Sequence, residues 1–176
     1  MTTITAVQLT NYIRDIPDFP KPGIIFRDIS PLLANGNAFG AAISQLACFV
    51  SHDVDAIVGI ESRGFIFGAA LAQQLGIGFV PVRKPGKLPA DVHSVDYELE
   101  YGMDRLEIHR DALSKGHKVV VVDDLLATGG TSAATVQLIR KLGAEVDGCL
   151  FVIELLALQG RKALKDVKAH SLVRYD

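Results

Sequence analysis

The stretch Val119–Thr131, VVVVDDLLATGGT, decides how this chain is read. Four consecutive β-branched residues, Val119 to Val122, carry no charge and suit a strand covered on both faces, as in a parallel sheet. Asp123 and Asp124 follow, where that strand is expected to end, and ligands of open α/β sheets collect at carboxyl strand ends. Two adjacent carboxylates there offer acceptors to a vicinal diol. Ala127, Thr128, Gly129, Gly130 and Thr131 then form a turn whose glycines remove the Cβ atoms that would keep the backbone away from an anion. Ala133, Val136, Gln137, Ile139 and Arg140 continue at helical spacing, so a helix N-terminus with free N–H groups stands behind the turn. Acceptors for a diol beside donors for a phosphate make a sugar-phosphate site, each charge-assisted bond contributing about 1.5–3 kcal/mol. No Gly-x-x-x-x-Gly-Lys-Ser/Thr and no Gly-x-Gly-x-x-Gly occurs in the chain, which excludes a Walker loop and a dinucleotide fingerprint.

Outward from this stretch the pattern alternates between strands and helices. Upstream, Ala56–Ile60 reads as a buried strand, Glu61–Gly64 as a turn, Phe65–Leu75 as a helix and Ile77–Val82 as a strand, a βαβ unit. A second unit runs from Val119 through a helix near residues 131 to 142 to a strand at Asp147–Leu155. Such alternation predicts α/β architecture, a parallel-sheet core flanked by helices. Nearer the start, residues 5 to 15 are expected to form a short helix, Ile24–Ile29 a strand, and Ser30-Pro31 a helix start, with residues 38 to 51 apolar at helical spacing. Arg83–His93 reads as a loop, and Tyr97–Tyr101 with Leu106–His109 alternates as an exposed hairpin would.

Composition bounds the function. With 176 residues, 49% of them hydrophobic and 22% charged, the chain is expected to form one globular domain over residues 1–176. A net charge of −2 without Lys/Arg runs argues against nucleic acid and anionic membranes as partners. Cys48 and Cys149 sit in apolar sequence without metal-ligand spacing and are read as buried thiols. The N-terminal residues do not have the pattern of a signal peptide and no apolar run spans a bilayer, so the expected location is cytoplasmic.

Two further segments carry charge into strand ends. In RKPGKLP, Arg83, Lys84 and Lys87 place three cations on a Pro/Gly loop after a parallel strand, which suits a pyrophosphate, although a solvated basic loop would look the same. In ESRGFIFG, Arg63 and Gly64 open a helix, where backbone N–H groups and a guanidinium can hold a leaving group. The acids of YELEYG and its neighbourhood, Asp96, Glu98, Glu100 and Glu107, cannot be ranked from their pattern.

The Val119–Thr131 stretch resembles, without a gap, the phosphoribosyl pyrophosphate motif of the type I phosphoribosyltransferases. FPKPGIIFRDISPLL at 19–33, ESRGFIFG at 61–68, RKPGKLP at 83–89 and YELEYG at 97–102 accompany it in order and narrow the resemblance to the branch that accepts adenine. The resemblance implies the type I phosphoribosyltransferase fold, with residues 1–33 contributing a small hood over the base and a flexible hairpin or loop, 84–103, acting as a lid that includes Tyr101. It implies a phosphoribosyl transfer assisted by Mg²⁺ in a homodimer, with Arg83 reaching across the dimer. It also implies that Phe26 stacks on the base, Leu155 closes the other face, and backbone groups of Ile25 and Arg27 read the base edge. Arg63, Arg83, Lys84 and Lys87 would surround the pyrophosphate. Asp123 and Asp124 would hold the ribose hydroxyls directly or through the metal, Asp123 being the indirect metal contact. Glu100 would act on the purine nitrogens as general base, with Arg63 the second catalytic residue.

Two alternatives stay open on the residues. A transferase of 6-oxo purines would keep the turn and change only the base pocket, and a regulator sensing the same sugar phosphate would need an added DNA-binding element that the first 20 residues do not supply. The assignment of Glu100 predicts that Glu100→Leu lowers turnover by roughly 10²–10⁴-fold, the range of a lost general base, while nucleotide binding stays near normal. Full turnover in steady-state assays of that variant would remove Glu100 from the chemistry.

Overall fold

The structure, a computed structural model, describes residues 6–99 and 102–176, with the chain dividing into two compact units, Met1–Gln45 and Leu46–Asp176. In the first unit a short helix α1 (Ala6–Leu9) and a 3₁₀ turn (Thr10–Tyr12) precede β1 (Arg14–Pro17). The helix expected through residue 15 therefore stops at Tyr12. Pairing takes over: β1 runs antiparallel to β2 (Ile25–Asp28), and ion pairs Arg14–Asp28 and Arg27–Asp15 lie across the two strands. Asp28 then opens α2 (Ser30–Ala34), accepting bonds from the Ser30 hydroxyl at 2.6 Å and the Ser30 N–H at 2.9 Å. These bonds, with the Arg14 guanidinium, lower its pKa to about 2.

Asn35 separates α2 from α3 (Gly36–Ala47) and caps the latter, its Oδ1 accepting the Ala38 N–H at 3.0 Å. The helix expected at 38–51 thus begins earlier and ends at Ala47. Beyond that end Cys48 is exposed, contrary to its reading as a buried thiol, because it falls outside the apolar stripe. Cys149 is buried, and burial pushes its thiol up to about 12.

The second unit is built on five parallel strands in the order β4-β3-β7-β8-β9, where β3 is Ala56–Ile60, β4 Gly78–Val82, β7 Lys118–Leu126, β8 Glu145–Leu155 and β9 Ala169–Tyr175. Val119 to Val122 are at most 1% exposed, as an uninterrupted β-branched run requires at the centre of a covered sheet. α4 (Arg63–Leu75) joins β3 to β4 and α5 (Gly130–Lys141) joins β7 to β8. These connections leave the central pair β3/β7 in opposite lateral directions, so right-handed crossovers put α4 and α5 on opposite faces. The carboxyl ends of β3 and β7 are therefore the topological switch point, where a crevice forms.

Between β4 and β7 the chain makes a hairpin, β5 (Val92–Leu99) and β6 (Gly102–His109), longer than the sequence pattern implies. It is not wholly exposed either. Val95, Tyr97, Leu106 and Ile108 belong to the same buried cluster as Ala134, Val136 and Leu138 of α5. Alternation along these strands thus reports one face on the core and one in solvent. Leu106, fully buried, should cost about 2–5 kcal/mol of stability when replaced by Ala, measured by urea unfolding. A loss below about 0.5 kcal/mol, the usual size for a surface position, would contradict this packing.

Candidate functional site

The turn after β7 is set by a close contact of backbones. Gly129, with φ +82°, is the N-cap of α5, and a Cβ on it would lie 2.3 Å from the carbonyl oxygen of Gly160. A Cβ on Gly160 would lie 2.3 Å from the carbonyl oxygen of Ala127. Neither position has room for a side chain. No side chain caps α5, and the first N–H groups of a helix lack intrahelical acceptors, so the donors of its first turn point out of the helix end. Thr128 is exposed and Ala127, Gly130 and Thr131 are half-buried, which leaves the turn accessible to an anion. The turn that the sequence marks for a phosphate is therefore formed, with the first-turn donors of α5 left without a side-chain cap.

The carboxylates do not sit past the strand end as expected. β7 continues to Leu126, paired with β8 through Asp123↔Phe151, Leu125↔Ile153 and Leu126↔Glu154, while its ladder to β3 ends at Gly59↔Val122. The two acids thus occupy strand positions where β7 has left β3 and stays laddered to β8. Asp124 is 4% exposed, its Oδ2 3.0 Å from Arg63 Nε, and its N–H donates to Asp123 Oδ1 at 2.9 Å. A Cβ on Gly64 would fall 2.6 Å from the Val122 carbonyl oxygen and 3.0 Å from Asp123 Oδ1, so only glycine lets the start of α4 lie against this pair. Burial raises both carboxyls, Asp123 well above the ordinary value with the Asp124 charge as second cause, and Arg63 opposes the rise at Asp124.

The cations of RKPGKLP are brought to the same end of the sheet but are already engaged. Arg83 binds Glu61 through Nε–Oε2 at 3.2 Å and Nη2–Oε1 at 3.0 Å, and donates from Nη1 to the Lys87 carbonyl at 3.0 Å. Glu61 also accepts the Lys84 N–H at 3.0 Å, and the Arg83 bond is the main cause of its lowered pKa. The Lys84 ammonium pairs with Asp104 and donates to the Tyr97 hydroxyl at 3.1 Å. Glu107 fixes the loop from below by accepting the Gly86 N–H at 3.0 Å and exchanging backbone bonds with Arg83. Lys87 is exposed.

Of the base-contact residues, Ile25, Phe26 and Arg27 lie on β2, with the Phe26 ring 5.2 Å from that of Phe19 at 75°. Leu155 is the half-buried last residue of β8. Glu100 and Tyr101 lie outside the described residues. Several residues that the sequence reading did not single out prove to organise the site: Glu61 as the partner of Arg83, Tyr97 and Asp104 as partners of Lys84, and Gly160 behind the turn. Glu61 stood in a quoted motif, and Gly160 carried the signal of a lone glycine before a short basic segment, but neither signal names a partner.

Comparison with known proteins follows the same lines. The phosphoribosyl transferase domain family matches residues 32–176. An adenine phosphoribosyltransferase of Methylococcus capsulatus is 61% identical to this chain over 93% of it and 96% of its own length. The crystal structure of adenine phosphoribosyltransferase from Thermoanaerobacter pseudethanolicus is similar with a TM-score of 0.94 at 52% identity, covering 97% of this chain and 100% of that one. The Saccharomyces cerevisiae enzyme, crystallised with adenine and an imino-altritol bisphosphate, has a TM-score of 0.88 at 41% identity, covering 95% of this chain and 97% of its own.

The raised carboxyls have a consequence for stability. A native pKa above that of the unfolded chain means the native state binds more protons through that window, so stability falls as pH rises from about 4 through the raised value. In ligand-free protein Asp123→Asn should therefore raise the Tm at pH 7.5, the difference closing as pH is lowered towards about 4. A variant less stable than its parent at pH 7.5, by thermal unfolding followed by circular dichroism, would contradict the assignment.

Proposed function

This chain belongs to the phosphoribosyl transferase family and, within it, to the adenine phosphoribosyltransferases, and from that premise we infer its reaction. It transfers the phosphoribosyl group of 5-phosphoribosyl 1-pyrophosphate to adenine, giving AMP and pyrophosphate, the salvage of a purine base. The observation that carries this reading is the uncapped start of α5 together with the half-buried Asp123 and buried Asp124 on β7, donors for a phosphate and acceptors for a diol on one strand-turn-helix segment.

The mechanism we propose is electrostatic. As the bond from C1′ to pyrophosphate stretches, positive charge grows on the ribose and negative charge on the leaving group. Backbone N–H groups of Ala127 to Thr131 fix the 5′-phosphate, and Asp123 and Asp124 hold the ribose hydroxyls, so that C1′ faces the base at short range. Arg63, Arg83, Lys84 and Lys87 receive the leaving group, which Arg83 and Lys84 do by exchanging Glu61 and Asp104 for phosphate oxygens. Phe26 and Leu155 sandwich the adenine, backbone groups of Ile25 and Arg27 read its edge, and Glu100 relays the purine proton while Tyr101 closes the lid. Stacking holds any purine; hydrogen bonds to the 6-amino edge select adenine, because a 6-oxo purine would leave those groups unpaired.

Mg²⁺ fits this donor set. Adjacent carboxylates raised by burial, Asp123 also by the Asp124 charge, are hard oxygen ligands whose charge a cation relieves, and Asp123 and Asp124 would hold the ion directly or through the ribose hydroxyls. When bound, Mg²⁺ neutralises charge on the pyrophosphate. Among the described residues no group of three or more His, Cys, Asp or Glu side chains is placed to hold a metal. We further propose one working domain over residues 1–176, with 1–33 forming the base hood, and a cytoplasmic homodimer whose Arg83 reaches the partner. No described helix is long and apolar enough to cross a membrane.

Each purine base mixed separately with the protein, phosphoribosyl pyrophosphate and Mg²⁺ tests this reading. Nucleotide should form with adenine, and with hypoxanthine, guanine or xanthine only at rates lower by about 10⁴-fold or more, the discrimination available to a site that pairs the amino edge. Equal rates with a 6-oxo purine would overturn the adenine assignment, and no nucleotide from any base would overturn the activity.

A further inference from the structure

Behind the phosphate turn lies a buried charge cluster that the reaction does not use. Glu154, near the end of β8, is 2% exposed. Arg161, the first residue of the short helix α6 (Arg161–Leu164), grips it bidentately, Nε–Oε1 at 2.6 Å and Nη2–Oε2 at 2.7 Å. The remaining donors of the same guanidinium reach β9: Nη1 to the Ala169 carbonyl at 2.6 Å and Nη2 to the Ser171 hydroxyl at 3.3 Å. Ser171 in turn donates to Glu154 Oε2 at 2.5 Å, and Arg174 stands 3.5 Å from that oxygen. One side chain thus ties α6 to two strands of the sheet.

The residue before Arg161 is Gly160, whose backbone passes so near the turn that a Cβ on it would lie 2.3 Å from the Ala127 carbonyl oxygen, and one on Gly129 2.3 Å from its own carbonyl oxygen. With no room for a side chain between the two segments, the position of Gly160 bears on the turn. Glu154 also pairs with Leu126 in the β7–β8 ladder, one residue before the turn begins. The clamp therefore holds both sides of the turn: the strand that leads into it and the glycine it rests on. Glu154 is buried but Arg161 is exposed, so the pair is weak evidence for net stability, while the planar fork of the guanidinium fixes a geometry that apolar packing does not.

We propose that Arg161 and Glu154 are positioning residues for the 5′-phosphate turn, setting the direction of its N–H groups through Gly160. The proposal rests on reading Ala127–Thr131 as the phosphate site. Calorimetric titration of the full-length protein with ribose 5-phosphate, and separately with pyrophosphate, tests it. Arg161→Lys keeps the charge but cannot span Glu154 and Ala169 together; it should weaken ribose 5-phosphate by about tenfold or more, as a misplaced anchor does, and leave pyrophosphate within about twofold. Glu154→Gln should act in the same direction, and carries the test if Arg161→Lys does not fold. Leu71→Ala, fully buried in α4, which packs on β3, β4 and β7 and not on the clamp strands, should lower the Tm without changing either affinity.

Parental affinity for ribose 5-phosphate in both clamp variants would overturn the proposal. So would equal weakening of the two ligands, or the same weakening in Leu71→Ala. Thr128→Asp, which places a like charge on the exposed turn, separates the two readings. If it weakens ribose 5-phosphate while the clamp variants do not, the turn is the phosphate site and the positioning role fails. If it too is without effect, the phosphate reading itself fails.

Discussion

Two backbones meeting where neither can carry a side chain is the constraint on which this molecule's site depends. Gly129 against Gly160, and Gly160 against Ala127, bring the turn after β7 down onto the chain that follows β8. The left-handed conformation at Gly129 then turns the chain into α5 without a capping side chain, which would otherwise occupy the first-turn donors. An ordinary Ser or Asp cap would stabilise this helix over the glycine present by only about a few tenths of a kcal/mol, and would compete with an anion for the same N–H groups. Leaving those groups uncapped therefore costs the helix little and keeps them open to a ligand.

Charge is arranged in the same spirit. Three of the cations that the reaction calls on have carboxylate partners in the ligand-free molecule: Arg63 with Asp124, Arg83 with Glu61, Lys84 with Asp104. The last two pairs are partly exposed, where such bridges contribute about 0–1 kcal/mol, so a polyanion can displace their acids at small cost. The pairs still matter, because they hold long side chains near their working positions and spare part of the ordering entropy on binding. Arg63 differs, since its partner is buried and would be left uncompensated if the guanidinium moved away.

Much of this was legible in the sequence because it rests on local rules. The valine run, the glycines of the turn and the alternation of strands with helices follow from side-chain shape and period, and the parallel sheet, α4, α5 and the turn appear where those rules put them. What was not legible depends on pairing between distant residues. β1 replaces the end of an expected helix because Asp28 and Arg27 lie across from Arg14 and Asp15. β7 runs on through Asp123 and Asp124 because β8 continues beside it, and no pattern within VVVVDDLL reports the length of a neighbour. The inner face of the hairpin was misjudged because its partner, α5, is some thirty residues further on. The partners Glu61 and Asp104 are 22 and 20 residues from Arg83 and Lys84, a separation that sequence spacing cannot interpret.

The carboxylate pair shows why such a site and its fold cannot be optimised separately. Burial and proximity hold Asp123 and Asp124 towards the protonated form, which is an energetic debit at neutral pH for as long as nothing neutralises them. A sugar diol donating to them, or a cation shared with it, removes that debit, so binding and stability are linked: a ligand that favours the charged pair adds its binding free energy to the native state alone. The same linkage explains the placement of Arg63. Its guanidinium opposes the rise at Asp124 without cancelling it, and it stands at the start of α4, by the switch point between β3 and β7.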